Sequence, residues 1–81
     1  MIISADHPAL AGHFPGNPIV PGVVILDHVV REAGRGLVRL PSVKFHAPLR
    51  PGEECEIRIE AGKFRVTRGA KLIVSGSYAF A

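Results

Sequence analysis

Between Asp6 and Pro21 the chain carries Pro8, Gly12, Pro15, Gly16, Pro18 and Pro21. That density of breakers excludes regular secondary structure. The same stretch holds Ala9, Leu10, Ala11, Phe14, Ile19 and Val20, so it is expected to pack inward rather than extend into solvent. A structureless loop of this length in a small domain is uncommon, and such loops are more often functional than idle. The domain is small: 81 residues, 47% of them hydrophobic, give room for one folded unit and none for a second. A chain of this size buries only about 60–65% of the surface its unfolded form exposes. The usual supplements are disulfides, a structural metal or oligomerisation. The single cysteine, Cys55, cannot form an internal disulfide, and no Cys/His cluster has zinc-site spacing. Oligomerisation is the expected supplement.

Ten Lys and Arg against seven Asp and Glu give a net charge of +3, spread along the chain rather than run together. Nucleic-acid binding calls for a cationic stripe with interleaved aromatics, and four Phe and one Tyr do not supply it. An acidic protein partner or an anionic substrate suits a dispersed surplus better. The opening residues Met1-Ile2-Ile3-Ser4-Ala5-Asp6 lack a basic region and are interrupted by Asp6, unlike a signal peptide. No apolar run reaches the roughly 18–20 residues of a membrane span. With a free cysteine, these features lead to the expectation of a reducing, cytoplasmic location.

From Gly22 to about Val38 the chain reads as a helix, with Val23, Leu26, Val30, Ala33 and Leu37 repeating at three and four residues. Val24, Ile25 and Val29 fill the flanks, so its first two turns are apolar nearly all round and are expected to be buried. The far end turns polar through Arg31, Glu32, Gly34, Arg35 and Gly36, with Pro41 as the expected stop. Beyond it, apolar residues alternate with polar ones. Val43, Phe45 and Ala47 precede a Pro48–Gly52 turn. Cys55, Ile57 and Ile59 lead through Ala61-Gly62 to Phe64 and Val66, then through Arg68-Gly69 to Leu72, Val74, Tyr78 and Phe80. Period-two alternation marks strands with one buried and one wet face, as in an antiparallel meander. The expected class is α+β: one long, mostly buried helix against a curved antiparallel sheet of four or five strands, all within residues 1–81.

Polar residues inside apolar stretches are the informative ones. His13 sits in Gly12-His13-Phe14-Pro15-Gly16, and Asp27 follows Val23-Val24-Ile25-Leu26 on the helix. Taken alone, His13 reads as a loop histidine satisfied by backbone, and Asp27 reads just as well as a cap or the partner of Arg31 four residues on. If both point inward, they offer a general base and a general acid in one apolar pocket. Pro21-Gly22 opens the helix, whose first-turn N–H groups have no intrahelical partner and can stabilise an enolate-like oxygen. Without a side chain, Gly22 would let a substrate come close.

Gly12-His13-Phe14-Pro15-Gly16-Asn17-Pro18-Ile19-Val20-Pro21-Gly22-Val23-Val24-Ile25-Leu26-Asp27 resembles the signature of the hotdog-fold β-hydroxyacyl-[acyl carrier protein] dehydratases. That signature is a GHFPGxPxxPG loop running into a central helix, with an acid fourteen positions after the histidine, the spacing of His13 and Asp27. Val43–Glu53 resembles the family's strand and Pro-Gly turn that follow. The resemblance runs from about His7 to the C-terminus. It implies a hotdog fold, a long central helix wrapped by a curved sheet. It also implies a homodimer or higher oligomer whose two sheets join, each site taking its histidine and its acid from opposite protomers.

For chemistry, the resemblance implies reversible dehydration of a 3-hydroxyacyl thioester to the trans-2-enoyl thioester, in fatty-acid, polyene or polyketide-type synthesis. His13 would take the C2 proton and Asp27 would assist departure of the C3 hydroxyl. The Gly22 amide would hold the carbonyl, with Pro21, Val23 and Phe14 lining the substrate. No metal or nucleotide is implied. The thioester would arrive on the phosphopantetheine of an acidic acyl carrier protein, for which Arg31, Arg35, Arg39, Arg65, Arg68 and Lys71 are the candidate docking cations. Asp27 matches the dehydratase/isomerase branch rather than the Glu of dehydration-only members. Only Met1–Asp6 precede the motif, where family members usually carry a further strand and often a helix, so the expectation is a minimal member or a late start. Two other readings remain: a catalytically silent hotdog subunit that binds acyl chains or pairs with an active partner, and a hotdog thioesterase. The latter has no use for the Gly-His-Phe-Pro-Gly loop. Among other polar residues, His7 reads as a turn residue, His28 as solvent-facing or orienting Asp27, His46 as surface and Cys55 as a small buried thiol.

Overall fold

The computed structural model describes residues 1–4, 19–34 and 38–80. His13, Phe14 and Arg35 lie outside the described residues, as does most of the breaker-rich loop. A helix, α1 (Gly22–Ala33), precedes four strands: β1 (Val38–Phe45), β2 (Glu56–Glu60), β3 (Lys63–Arg68) and β4 (Lys71–Phe80). All strand pairs are antiparallel, and the order across the sheet is β1-β4-β3-β2. The last three strands form the expected meander, and β1 flanks it beside β4. One helix on a four-stranded antiparallel sheet is the α+β class expected.

The helix is shorter than its apolar period suggests. It ends at Ala33, twelve residues long, because Gly34 adopts the left-handed conformation (φ 73°, ψ 9°) and donates its N–H to the Arg31 carbonyl at 3.1 Å. Pro41 is therefore not the helix stop; it lies inside β1. It is tolerated there because β1 is an edge strand and the ladder is irregular at that point. Arg39 pairs with Ala79 and Ser42 with Ser77, so Leu40 and Pro41 together oppose Tyr78 in a β-bulge.

Nor is α1 buried all round. Val24, Ile25 and Val29 face the sheet, whereas Val23 is 71% exposed. Valine and isoleucine are weak helix formers, so this segment owes its helicity to packing rather than to propensity. Its buried face meets Ile3, Val20, Leu49, Phe64, Val66, Ile73 and Val74 in one core. Each such side chain contributes about 1.5–3 kcal/mol relative to leaving it in water. Cys55 joins that core, as expected, while Phe45 and Phe80, expected inside, are exposed in the single chain.

Two contacts fix the sheet. The Phe64 ring lies across the bare Cα of Gly76, where a Cβ would stand 2.7 Å from the ring's Cζ and would also collide with the Ser42 carbonyl. Only glycine lets β1, β4 and the phenyl ring meet there. At the other end, Glu53 accepts the Arg50 backbone N–H at 2.7 Å and pairs with Arg68 at 2.5 Å, tying the turn before β2 to the end of β3. The hydrogen bond from Arg50, helped by the Arg68 charge and opposed by partial burial, lowers the pKa of the Glu53 carboxyl.

Gly76→Ala is expected to lower stability by about 1–3 kcal/mol through overpacking. Ser77→Ala, on the opposite face of β4, should change it by no more than about 0.5 kcal/mol. Chemical denaturation of the two variants checks this contrast. Because folding depresses the Glu53 pKa, its contribution is fully present above the ordinary carboxylate range and lost as pH falls through the depressed value. Glu53→Gln should therefore be less stable than the wild type at neutral pH and converge with it on acidification, as read by thermal melts across pH.

Candidate active site

The chain reaches α1 through a fixed anchor. The Val20 N–H donates to the Leu49 carbonyl at 2.7 Å, and both side chains are buried. Pro21 then takes an extended conformation (φ −59°, ψ 140°), close to the φ its ring imposes, and the helix starts at Gly22. The Val24 N–H bonds the Pro21 carbonyl at 3.0 Å. The Gly22 and Val23 N–H groups have no acceptor among the described residues. First-turn donors of an α-helix have no intrahelical partner and carry the positive end of its dipole.

The space at Gly22 differs from the sequence expectation. A Cβ on Gly22 would stand 2.5 Å from Cζ and 2.7 Å from Cε1 of Phe45, so it is the phenyl ring that comes up to this glycine. Phe45, at the end of β1, is 53% exposed and forms one wall of the helix start. Alternation in the sequence assigned Phe45 to the inner face of its strand, but nothing in it signalled that α1 would begin beneath the ring.

Asp27 does not point into an apolar pocket of its own chain. Its side chain is 54% exposed and pairs with the Arg31 guanidinium at 3.1 Å, the i,i+4 partner open to it from the sequence. The helix turns this carboxylate outward because the stripe of Val24, Ile25 and Val29 takes the sheet side. Val23 lies one turn earlier on the same exposed face, so Asp27 and Val23 are brought together. A surface pair of this spacing is worth only about 0.3–0.5 kcal/mol, and it yields easily to another hydrogen-bond donor. His28 is half-buried, in a groove of about 440 Å³ lined also by Arg31, Glu32, Cys55, Glu56 and Ile57. Burial, with the Glu53 charge, raises the pKa of the Cys55 thiol, which keeps it protonated and a poor nucleophile. His46 is exposed, as expected, with Nε2 2.7 Å from the Ser75 hydroxyl.

The cations also separate. Arg31 and Arg68 are engaged by Asp27 and Glu53, whereas Arg39, Arg65 and Lys71 form no ion pair among the described residues. No group of three or more potential metal ligands occurs among the described residues, and no described helix is long and apolar enough to cross a membrane.

Residues 1–77 match the ApeI-like family, described as ApeI dehydratase. The chain is similar to several curated 3-hydroxyacyl-[acyl-carrier-protein] dehydratases FabZ. That of Thermomicrobium roseum is 30% identical over 76 residues, covering 78% of this chain and 51% of the relative. That of Pelotomaculum thermopropionicum is 31% identical over 80 residues, covering 83% and 57%. That of Bartonella bacilliformis is 32% identical over 77 residues, covering 78% and 50%. The chain thus spans about half the length of the curated relatives it matches. The match takes in residues 5–18, the helix, the first three strands and β4 as far as Ser77, and the chain belongs to the ApeI-like dehydratase family.

Proposed function

We propose that this chain dehydrates a 3-hydroxyacyl thioester carried on the phosphopantetheine of an acyl carrier protein, in fatty-acid, polyene or polyketide-type synthesis. The observation that carries this reading is the family match over residues 1–77, which includes both His13 and Asp27 and the helix start between them. His13 takes the C2 proton, and the C–H electron pair becomes the C2=C3 double bond. The C3–O bond breaks with proton assistance from Asp27, and the hydroxyl leaves as water. The Gly22 amide holds the thioester oxygen as charge builds on it, aided by the helix dipole and with the Val23 amide beside it. Pro21, Val23 and Phe14 line the acyl chain, and Phe45 joins them. The reaction uses protein groups alone, without metal or nucleotide, and runs backward as hydration with the same groups.

The active unit is a hotdog homodimer in the cytoplasm, with α1 as the central helix and each site shared between protomers. Three features support this assembly. Asp27 and Val23 share an outward face of α1, Phe45 is exposed beside Gly22, and β1 is an edge strand among the described residues, at which two sheets could join. An outward acid is of little use to its own protomer's pocket, but it is well placed to complete a partner's.

Mass spectrometry of the protein incubated with a 3-hydroxyacyl carrier protein should show loss of one water, and addition of one water to the enoyl form. Acid–base groups of this kind contribute about 10²–10⁴-fold, so His13→Ala and Asp27→Asn should each fall by that order. Mixing the two inactive variants under conditions that exchange protomers should restore activity to about a quarter of wild type, since half the dimers then hold one intact site of two. No recovery in exchanged dimers places both groups in one protomer and overturns the shared site. No turnover in either direction by a dimeric wild type overturns the dehydratase reading in favour of a silent subunit.

A further inference from the structure

The strand register sorts the sheet's side chains into two faces, since alternate residues point to opposite sides. Val43, Gly76, Phe64 and Ile59 form one row across the sheet, and Phe45, Val74, Val66 and Ile57 form another; this is the face that carries the core, with Phe45 exposed at its margin. The rows between them face outward. One runs Lys44, Ser75, Arg65, Arg58, and the next runs Ser42, Ser77, Lys63, Glu60. A shallow groove of about 420 Å³ follows them, lined by Ser42, Lys63, Arg65, Ser75 and Ser77. Phe64 and Gly76 complete its lining, so apolar surface lies among the hydroxyls and cations.

These cations are uncommitted. Arg58 is matched by Glu56, but Lys44, Lys63 and Arg65 have no ion-pair partner among the described residues. The β2 carboxylates, Glu56 and Glu60, stand on this face, with Glu60 directly across from Lys63. The outer faces of β1, β4 and β3 thus present positive charge over small polar side chains. Neither row carries an aromatic residue on which a nucleic-acid base could stack, nor an apolar side chain to insert into a bilayer.

We infer that this outer face of the sheet is a docking surface for an acidic protein, the carrier protein of the proposed reaction. The inference rests on that reaction for the identity of the partner, and on the charge of the face for its location. It selects Arg65 from the candidate cations and adds Lys44 and Lys63. Lys44 is the residue before Phe45, so the docking face begins one residue from the wall of the helix start. Complementary charge of this kind acts chiefly on encounter and is screened by salt.

The test compares Arg65→Glu with Lys71→Glu, an equal change of charge at the β3–β4 turn. Each is assayed with a carrier-protein-bound 3-hydroxyacyl substrate and with a short soluble thioester of the same acid. Arg65→Glu should lower kcat/KM for the carrier-bound substrate about tenfold at low salt. The loss should lie in KM, shrink as salt rises, and be absent with the soluble thioester; Lys71→Glu should have little effect. Equal loss in both variants, or loss on both substrates, overturns the docking surface and leaves the dehydratase standing. If the wild type turns over neither substrate, the reaction fails instead. Salt-sensitive binding of the carrier protein, weakened by Arg65→Glu and not by Lys71→Glu, would then still support the surface, and its absence would overturn it. Binding to RNA or to anionic vesicles weakened as much as binding to carrier protein would show a general anion surface and overturn the inference.

Discussion

The hydrogen bond from the Val20 amide to the Leu49 carbonyl is the contact on which the remainder of the site depends. It joins the end of the breaker-rich loop to the connection between β1 and β2, two segments far apart in sequence, with both side chains buried. Once Val20 is fixed, Pro21 has little freedom, and Gly22 must begin its helix under the end of β1. The far side of the anchor is braced in turn. Glu53 holds the Arg50 amide and the Arg68 side chain, and the Gly52 amide bonds the Ile3 carbonyl at 2.8 Å. A few polar contacts thus set where the Gly22 and Val23 amides lie, for which the described residues offer no acceptor.

The strands were legible in the sequence because alternation survives as burial. Ile57 and Ile59 turn inward from Glu56, Arg58 and Glu60, and Phe64 and Val66 from Lys63 and Arg65. The helix start was legible from Pro21-Gly22. The helix end was not, because Leu37 continues the helical period while Val38 and Leu40 also fit a strand; only the backbone conformation of Gly34 separates the two. Pro41 misled for a related reason. Proline stops a helix, but it is equally at home in an edge-strand bulge, and sequence spacing does not distinguish a stop from a bulge.

The site was legible as a motif more than as a geometry. Spacing singles out Asp27 as a candidate but says nothing about which way an α-helix turns it, and the sheet claims the opposite face. Phe45 was assigned to the core by its alternation and is exposed against Gly22, where the helix start leaves it a place. Both residues depart from a one-chain reading in the same direction. An outward carboxylate, an outward valine and an outward phenylalanine are costly or idle in a monomer and economical where a second copy covers them.

The bulge at Leu40-Pro41 also bears on how the sheet can grow. Proline has no N–H to offer a neighbouring strand, and the bulge bends the strand that carries it. At the opposite side of the sheet, Ile2 bridges Glu54 and the Cys55 amide bonds the Met1 carbonyl at 2.8 Å, so the approach to β2 is already occupied. The two sides of the sheet are therefore unequal. Among the described residues β1 is the edge strand on one side, and it carries the proline and the bulge, whereas the other side carries the Met1–Ile2 segment.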